Sequence, residues 1–263
     1  MTGLTDWTID RAVTELLSRE ADRRDGGRIT DAWPGLDLPT AYQVQDALLR
    51  RKLDSGEQLV GVKLGLTSRA KQQRMGIDSP LTAWLTDAMV LPEGTPVPVG
   101  ELIHPRAEPE IVFVMGERLA GPGVTAATAL AAVSSVHPGF EIIDSRYTDF
   151  AFTLPDVVAD NASSSRFVVG GNGLPAQGLD LALEACLLGI DGEITHSATG
   201  AAVQGHPAEA LALAANSLGA RGIAIEPGWI VLTGGLTDAV FVEPGREISA
   251  EFTHLGTLRM TGA

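Results

Sequence analysis

Apolar residues recur at helical spacing early in the chain and give way to short strand-like runs later. Between residues 8 and 24, Ile9, Val13, Leu16 and Leu17 share one face and charges occupy the other. That spacing predicts an amphipathic helix, ended by Asp25-Gly-Gly27. A second helix fits residues 40–53, with Ala41, Val44, Leu48 and Leu49 inward and Ser55-Gly56 as its stop. Residues 1–57 are therefore expected to form an N-terminal helical layer.

The pattern then changes. Residues 58–64 read as a strand, and Thr67 is placed to cap a short helix running through Lys71 to Met75, closed by Gly76. Further strands are expected at 111–115, 140–143, 166–169, 183–190, 193–196, 229–233, 240–242, 248–252 and 257–260. Asp191-Gly192 falls between two of them and is a two-residue hairpin signal. Helices are expected at 125–136 and 207–218. They do not alternate strictly with the strands, which argues against a doubly wound sheet. The expected fold is α+β: a mainly β, rolled or barrel-like body over residues 58–263, joined to the helical layer as one compact unit. Gly170-Gly171 and Gly234-Gly235 lack the context of a nucleotide loop and read as turns or close backbone approaches.

Composition narrows the function classes. A chain of 263 residues, 44% hydrophobic and 20% charged, is ordinary for a globular protein and long enough for a large core. A net charge of −14 without a basic stripe disfavours nucleic acid as a partner. An anionic substrate must be drawn in locally, by a metal or by isolated cations. Cys186 is the only cysteine, so no internal disulfide or thiolate metal cluster is expected, and it reads as a small core residue. The N-terminus has neither the basic start nor the apolar stretch of a signal peptide. No run approaches the roughly 20 apolar residues that span a membrane. A reducing cytoplasm is the expected location.

The chemistry concentrates in acidic residues beside apolar strands. Glu108 and Glu110 lead directly into Ile111-Val-Phe-Val-Met115. A strand puts residues two apart on the same face, and like charges beside a buried run are costly unless a cation lies between them. Glu141, in Phe140-Glu-Ile-Ile143, supplies a third acid. Three such carboxylates suit a hard divalent ion, Mg²⁺ or Mn²⁺, with open positions for substrate. The competing explanation is a solvated strand face. Lys63 lies within Val60-Gly-Val-Lys-Leu-Gly-Leu66, on the face opposite Val62 and Leu64. Gly61 and Gly65 are expected to leave room beside it. The chain carries only two other lysines, Lys52 and Lys71, so a compact ammonium here suggests neutralisation of a carboxylate or proton transfer. A lysine snorkelling from an edge strand is the alternative. The polar stretch from Val157 to Ser165 is either an Asx or Ser turn or a loop offering donors to a carboxylate. The histidines show no metal spacing, and no G-x-S-x-G or Cys–His pair supports a nucleophilic hydrolase.

Seven segments in order carry a family resemblance: Val60-Gly-Val-Lys-Leu-Gly-Leu-Thr-Ser68, Met75-Gly-Ile-Asp-Ser-Pro80, His104-Pro-Arg-Ala-Glu-Pro-Glu-Ile111, Glu141-Ile-Ile-Asp-Ser-Arg-Tyr147, Val158-Ala-Asp-Asn-Ala-Ser163, Gly205-His-Pro207 and Leu232-Thr-Gly-Gly235. From about residue 40 onward the chain resembles the 2-oxopent-4-enoate hydratase and 4-oxalocrotonate decarboxylase family, within the fumarylacetoacetate hydrolase superfamily. The resemblance implies a β-roll catalytic body in the meta-cleavage degradation of aromatic compounds, with Mg²⁺ or Mn²⁺ on Glu108, Glu110 and Glu141. It implies that Lys63 and Asp78 are catalytic, and that Ser163, Asp160 and Asn161 form a substrate-facing loop. Arg146 is a further candidate for holding a substrate carboxylate. The implied partners are a small 2-oxo dicarboxylic acid, other copies of the chain, and the hydratase of the next step.

Two departures stand out. Pro109 replaces a common alanine between the two acids, and His137-Pro-Gly139 replaces a more apolar stretch, with a reshaped pocket edge as the expected result. The stretch from Asp144 to Leu154, Ser163-Ser-Ser-Arg-Phe167 and Leu232 to Val240 resemble the decarboxylase branch. The implied activity is decarboxylation of 2-oxohex-3-enedioate, with hydration of 2-hydroxypenta-2,4-dienoate as the alternative. A non-catalytic scaffold subunit and a C–C bond hydrolase are weaker readings, opposed by the retained acids and Lys63 and by the lack of a water-activating dyad.

Overall fold

The structure, a computed structural model, describes residues 7–69, 72, 73, 76, 77 and 80–263. The chain opens with α1 (Ile9–Asp22), whose N-cap Thr8 accepts a hydrogen bond from the Arg11 backbone N–H. After the short α2 (Ile29–Ala32) comes α3 (Leu38–Asp54), capped by the Asp37 side chain on the Thr40 N–H. Both long helices lie within two residues of the expected bounds. Their buried faces, Ala12, Val13 and Leu16 against Ala41, Val44 and Leu48, enclose Leu81, Tyr147, Val157 and Val158. The helical layer thus supports the segment that leads into one wall of the site.

The body follows as β1 (Leu59–Gly65), β2 (Leu81–Thr86), β3 (Arg106–Met115), α4 (Ala126–Ala131), β4 (Val133–Ile143), α5 (Leu154–Ala159), β5 (Ser164–Val169), β6 (Ala185–Ile190), β7 (Glu193–Thr199), α6 (Pro207–Ala220), β8 (Ile230–Leu232), β9 (Val240–Phe241), β10 (Glu247–Phe252) and β11 (Gly256–Thr261). One sheet runs β2-β1-β8-β3-β4-β5, with β9 also pairing β3, and a second runs β11-β10-β6-β7. Every pairing is antiparallel except β1 with β8. The expected α+β architecture, a rolled, mainly β body with an N-terminal helical layer, is the one found. The 191–192 hairpin joins β6 to β7 with both residues at positive φ.

Several elements differ from expectation, among them α2 and α5, short helices that the sequence pattern did not mark. β2 was not anticipated, because all six of its residues are buried and no polar alternation marks it. The helix expected over 125–136 stops at Ala131, and Val133 enters β4 opposite Met115. Val133 and Val136 stand three apart and mimic a helical stripe, but pairing with β3 decides their conformation. β3 begins at Arg106 instead of residue 111, so both Glu108 and Glu110 lie inside the ladder. The short helix expected from residue 67 to 75 falls partly on residues 70, 71, 74 and 75, outside the described residues.

Candidate active site

The ladder between β3 and β4 builds the acidic cluster. Glu108 lies directly opposite Glu141, and Glu110 lies opposite Gly139. Directly opposed residues share a face, and so do residues two apart on one strand. All three side chains therefore point the same way, with a carboxylate oxygen from each within 4.8 Å of the others. Glu110 and Glu141 are fully buried, and Glu108 is partly exposed. A Cβ at Gly139 would lie 2.4 Å from Val112 Cγ2, so this glycine makes room for the Val112 side chain beside the cluster.

Each buried acid has its own partners. The Gly234 N–H donates to Glu110 Oε2 at 2.8 Å, while Glu110 Oε1 has no hydrogen-bond partner. Burial first, and then repulsion from Glu141 and Glu108, pushes the Glu110 carboxyl well above the usual range. Glu141 Oε1 accepts from the Ser164 hydroxyl at 2.6 Å. Lys63 Nζ sits 3.0 Å from Glu141 Oε1 and 3.1 Å from Oε2. In a flat sheet β1 and β4 are three strand steps, roughly 14 Å, apart. Contact between Lys63 and Glu141 requires the sheet to curl. Lys63 is itself buried, which removes the snorkelling alternative. Gly61 does not make room for it: a Cβ there would come within 2.0 Å of the Ile230 carbonyl oxygen, so this glycine admits β8 beside β1.

Three converging carboxylates, two of them buried, are costly to keep ionised side by side without a bound cation. The unpartnered Glu110 Oε1 also lacks a donor. Both features suit a divalent cation bound by oxygen. The chain after β8 presses on this cluster. Gly234 has φ +114°, and a Cβ at Gly235 would lie 2.8 Å from Glu108 Cδ. Gly235→Ala is expected to push Glu108 out of line and weaken magnesium binding by about tenfold in a calorimetric titration, an order of magnitude being about 1.4 kcal/mol. Unchanged affinity would show that Glu108 has slack.

The cluster opens onto a cavity of about 160 Å³. Lys63, Glu108, Thr67 and Ser163 provide its polar wall, and Leu66, Leu81, Ile143, Phe150, Phe152 and Val157 its apolar one. A larger, open hollow of about 710 Å³ beside α6 is lined by Arg69, Gln72, His206 and Glu209 and contains none of the three carboxylates.

The loop after α5 differs from its expected role. Of Arg146, Asp160, Asn161 and Ser163, only Ser163 lines the cavity. Arg146 and Asp160 form a buried ion pair, Nε to Oδ1 at 2.5 Å. The Asn161 side-chain amide accepts at Oδ1 from the Trp84 N–H at 2.8 Å and donates from Nδ2 to the Trp84 carbonyl at 2.9 Å. These three residues shape the loop and do not face the cavity. Asp78 lies outside the described residues. His137-Pro-Gly139 lies within β4 and is absent from the cavity wall, so it does not reshape that edge as expected. Ser164 and the two phenylalanines were not singled out from sequence. Ser164 is one of three successive serines, and only the register of β5 on β4 distinguishes it.

Residues 58–261 match the family described as fumarylacetoacetate (FAA) hydrolase C-terminal. The chain is 43% identical to the 4-oxalocrotonate decarboxylase of Pseudomonas sp. (strain CF600) over 236 residues, covering 90% of this chain and 89% of that protein. It is 40% identical to the 2-hydroxyhexa-2,4-dienoate hydratase of Comamonas testosteroni over 231 residues, covering 87% and 88%. The solved structure of 4-oxalocrotonate decarboxylase from Pseudomonas putida G7, complexed with magnesium and adipate, superposes with a TM-score of 0.94 at 38% identity, covering 98% and 99% of the two chains.

Proposed function

The chain belongs to the fumarylacetoacetate hydrolase family, and we propose that it is a metal-dependent lyase that decarboxylates 2-oxohex-3-enedioate to 2-hydroxypenta-2,4-dienoate. The observation that carries this is the convergence of Glu108, Glu110 and Glu141 beside a mostly apolar cavity whose wall includes Glu108 and Lys63. The relatives add two supports: decarboxylases at 40–43% identity, and a solved relative with magnesium and the six-carbon diacid adipate.

Glu108, Glu110 and Glu141 would hold Mg²⁺ or Mn²⁺, which supplies Lewis acidity to the 1-carboxylate and 2-oxo end of the substrate. In the reaction the C5–C6 bond breaks and its electron pair forms C4=C5. The C3=C4 pair moves to C2=C3, the charge develops on the C2 oxygen, and CO₂ leaves. The protein's own groups match both ends of that movement. Lys63 places a positive charge beside Glu141 where the oxyanion forms, and its ammonium is available to protonate that oxygen. The apolar wall of Phe150, Phe152, Leu66 and Val157 strips water from the distal carboxylate, which favours its loss as neutral CO₂.

The alternative is hydration of 2-hydroxypenta-2,4-dienoate, favoured by the Comamonas hydratase at 40% identity. Both reactions use the same acids. Purified protein with Mg²⁺ should release CO₂ from 2-oxohex-3-enedioate. Formation of 4-hydroxy-2-oxopentanoate from the dienoate without CO₂ release from the diacid would assign it as the hydratase. The same proposal includes cytoplasmic homo-oligomers associated with the next-step hydratase. No helix among the described residues is long and apolar enough to cross a membrane.

A further inference from the structure

Three consecutive non-glycine residues, Asn161, Ala162 and Ser163, have φ of 49°, 51° and 59°. Left-handed backbone at a single such residue is uncommon, and a run of three persists only where the surroundings over-determine it. The surroundings here are buried and specific. Arg146 Nη2 donates to the Asp160 carbonyl at 2.5 Å, and Nη1 donates to the carbonyls of Asp144 at 2.7 Å and Ser164 at 3.2 Å. One guanidinium thereby ties the end of β4, the end of α5 and the start of β5 around the left-handed turn. Asp160 completes the enclosure. Its Oδ2 accepts from the Arg146 N–H at 3.2 Å and from the Ser163 hydroxyl at 3.3 Å, and its carbonyl accepts from the Ser163 N–H at 3.0 Å. The Asp144 N–H then donates to the Ser163 carbonyl at 2.8 Å.

Ser163 is the member of this group that reaches the cavity, and the next residue, Ser164, donates to Glu141. We propose that Arg146 and Asp160 are positioning residues that act through Ser163. They hold the turn left-handed so that the Ser163 hydroxyl stands at the substrate, and neither contacts substrate itself. The inference rests on the functional assignment above. A fork is needed because Nη1 and Nη2 bond the three carbonyls while Nε holds Asp160 Oδ1, and a single lysine ammonium does not replace three nitrogens. Misplacement of a reacting group by about 1 Å costs around a hundredfold in rate.

A double-mutant cycle tests this, run on whichever reaction the wild type performs with Mg²⁺, CO₂ release or hydration. Asp160→Asn, Arg146→Lys and Ser163→Ala are each expected to lower kcat by about 10- to 100-fold, with KM and calorimetric magnesium affinity within about threefold of wild type. Residues that act through one hydroxyl are not independent. Asp160→Asn added to Ser163→Ala should therefore cost no more than about a further threefold. Full multiplication of the two losses, or full activity in Asp160→Asn, overturns the positioning role. If Asp160→Asn does not fold, the cycle of Arg146→Lys with Ser163→Ala decides the question by the same criterion. A wild type that performs neither reaction removes the functional assignment and this role together. An active wild type with multiplying losses removes this role alone.

Discussion

Replacing Glu110 by glutamine is expected to abolish useful activity while making the metal-free protein more stable. The activity loss should be at least about a thousandfold in kcat/KM, because one of three charged ligands disappears and the stabilisation of developing oxyanion charge is worth several kcal/mol. The gain in stability has a different origin. Glu110 is wholly buried, faces Glu108 and Glu141, and leaves Oε1 without a partner. An amide of the same shape keeps an acceptor for the Gly234 N–H and offers donors to the two remaining carboxylates. Removing the repulsion and the unsatisfied atom should add about 1–3 kcal/mol, which raises the melting temperature by roughly 2–10 °C at this chain length.

The pH dependence of that gain follows from the raised Glu110 carboxyl. The metal-free fold binds this proton more tightly than the unfolded chain, whose carboxyl titrates near 4.5. Wild-type stability from this group is complete below that pH and is lost as pH rises through the elevated value. The glutamine variant does not titrate there. Its advantage should be small at pH 5 and should grow toward pH 8. Melting curves in a chelator at the two pH values check the sign. A glutamine variant less stable than wild type at pH 8 would mean that Glu110 is not in electrostatic conflict with its neighbours.

The acids at the centre of this conflict were legible in the sequence because strand alternation is local. Glu-Pro-Glu before a buried run needs no tertiary information to put Glu108 and Glu110 on one face. That Glu141 joins them depends on the register of β4 against β3, thirty residues away along the chain. The sequence offers only its apolar setting as a hint. Lys63 was marked by its residue type in an apolar run, by its flanking glycines and by the resemblance. The approach of Lys63 to Glu141 depends on tertiary pairing, because β8, from late in the chain, lies between β1 and β3 and the sheet must curl to bring the two together. Asp160 was placed with the substrate by resemblance and Arg146 as a cation suited to a carboxylate, and the structure shows them bonded to each other behind the loop. A motif preserves which residues occur together, and it does not record which of them faces the cavity. β2 was illegible because a strand buried on both faces has no polar period to read.

Lys63→Met should have the opposite effect on the same cluster. Lys63 is the cation within reach of Glu141, and it also holds the Glu110 carboxyl down. A methionine of similar length fills the space but leaves Glu141 with only the Ser164 hydroxyl. Breaking a buried pair by removing one partner typically costs about 3–5 kcal/mol. The metal-free variant should therefore melt well below wild type, and kcat should fall about 100-fold or more through loss of positive charge at the oxyanion. Magnesium should restore much of the stability, because the ion then supplies the missing positive charge. The increase in melting temperature on adding Mg²⁺ should exceed that of wild type, whereas a lysine serving only to pack would leave the two increases equal. Glu110→Gln in the Lys63→Met background removes one negative charge along with the positive one. Residues sharing a cluster are not additive, and this pair should offset: the metal-free double variant should recover most of the stability lost by Lys63→Met while remaining inactive. Failure to recover would locate the cost of losing Lys63 in packing and not in charge.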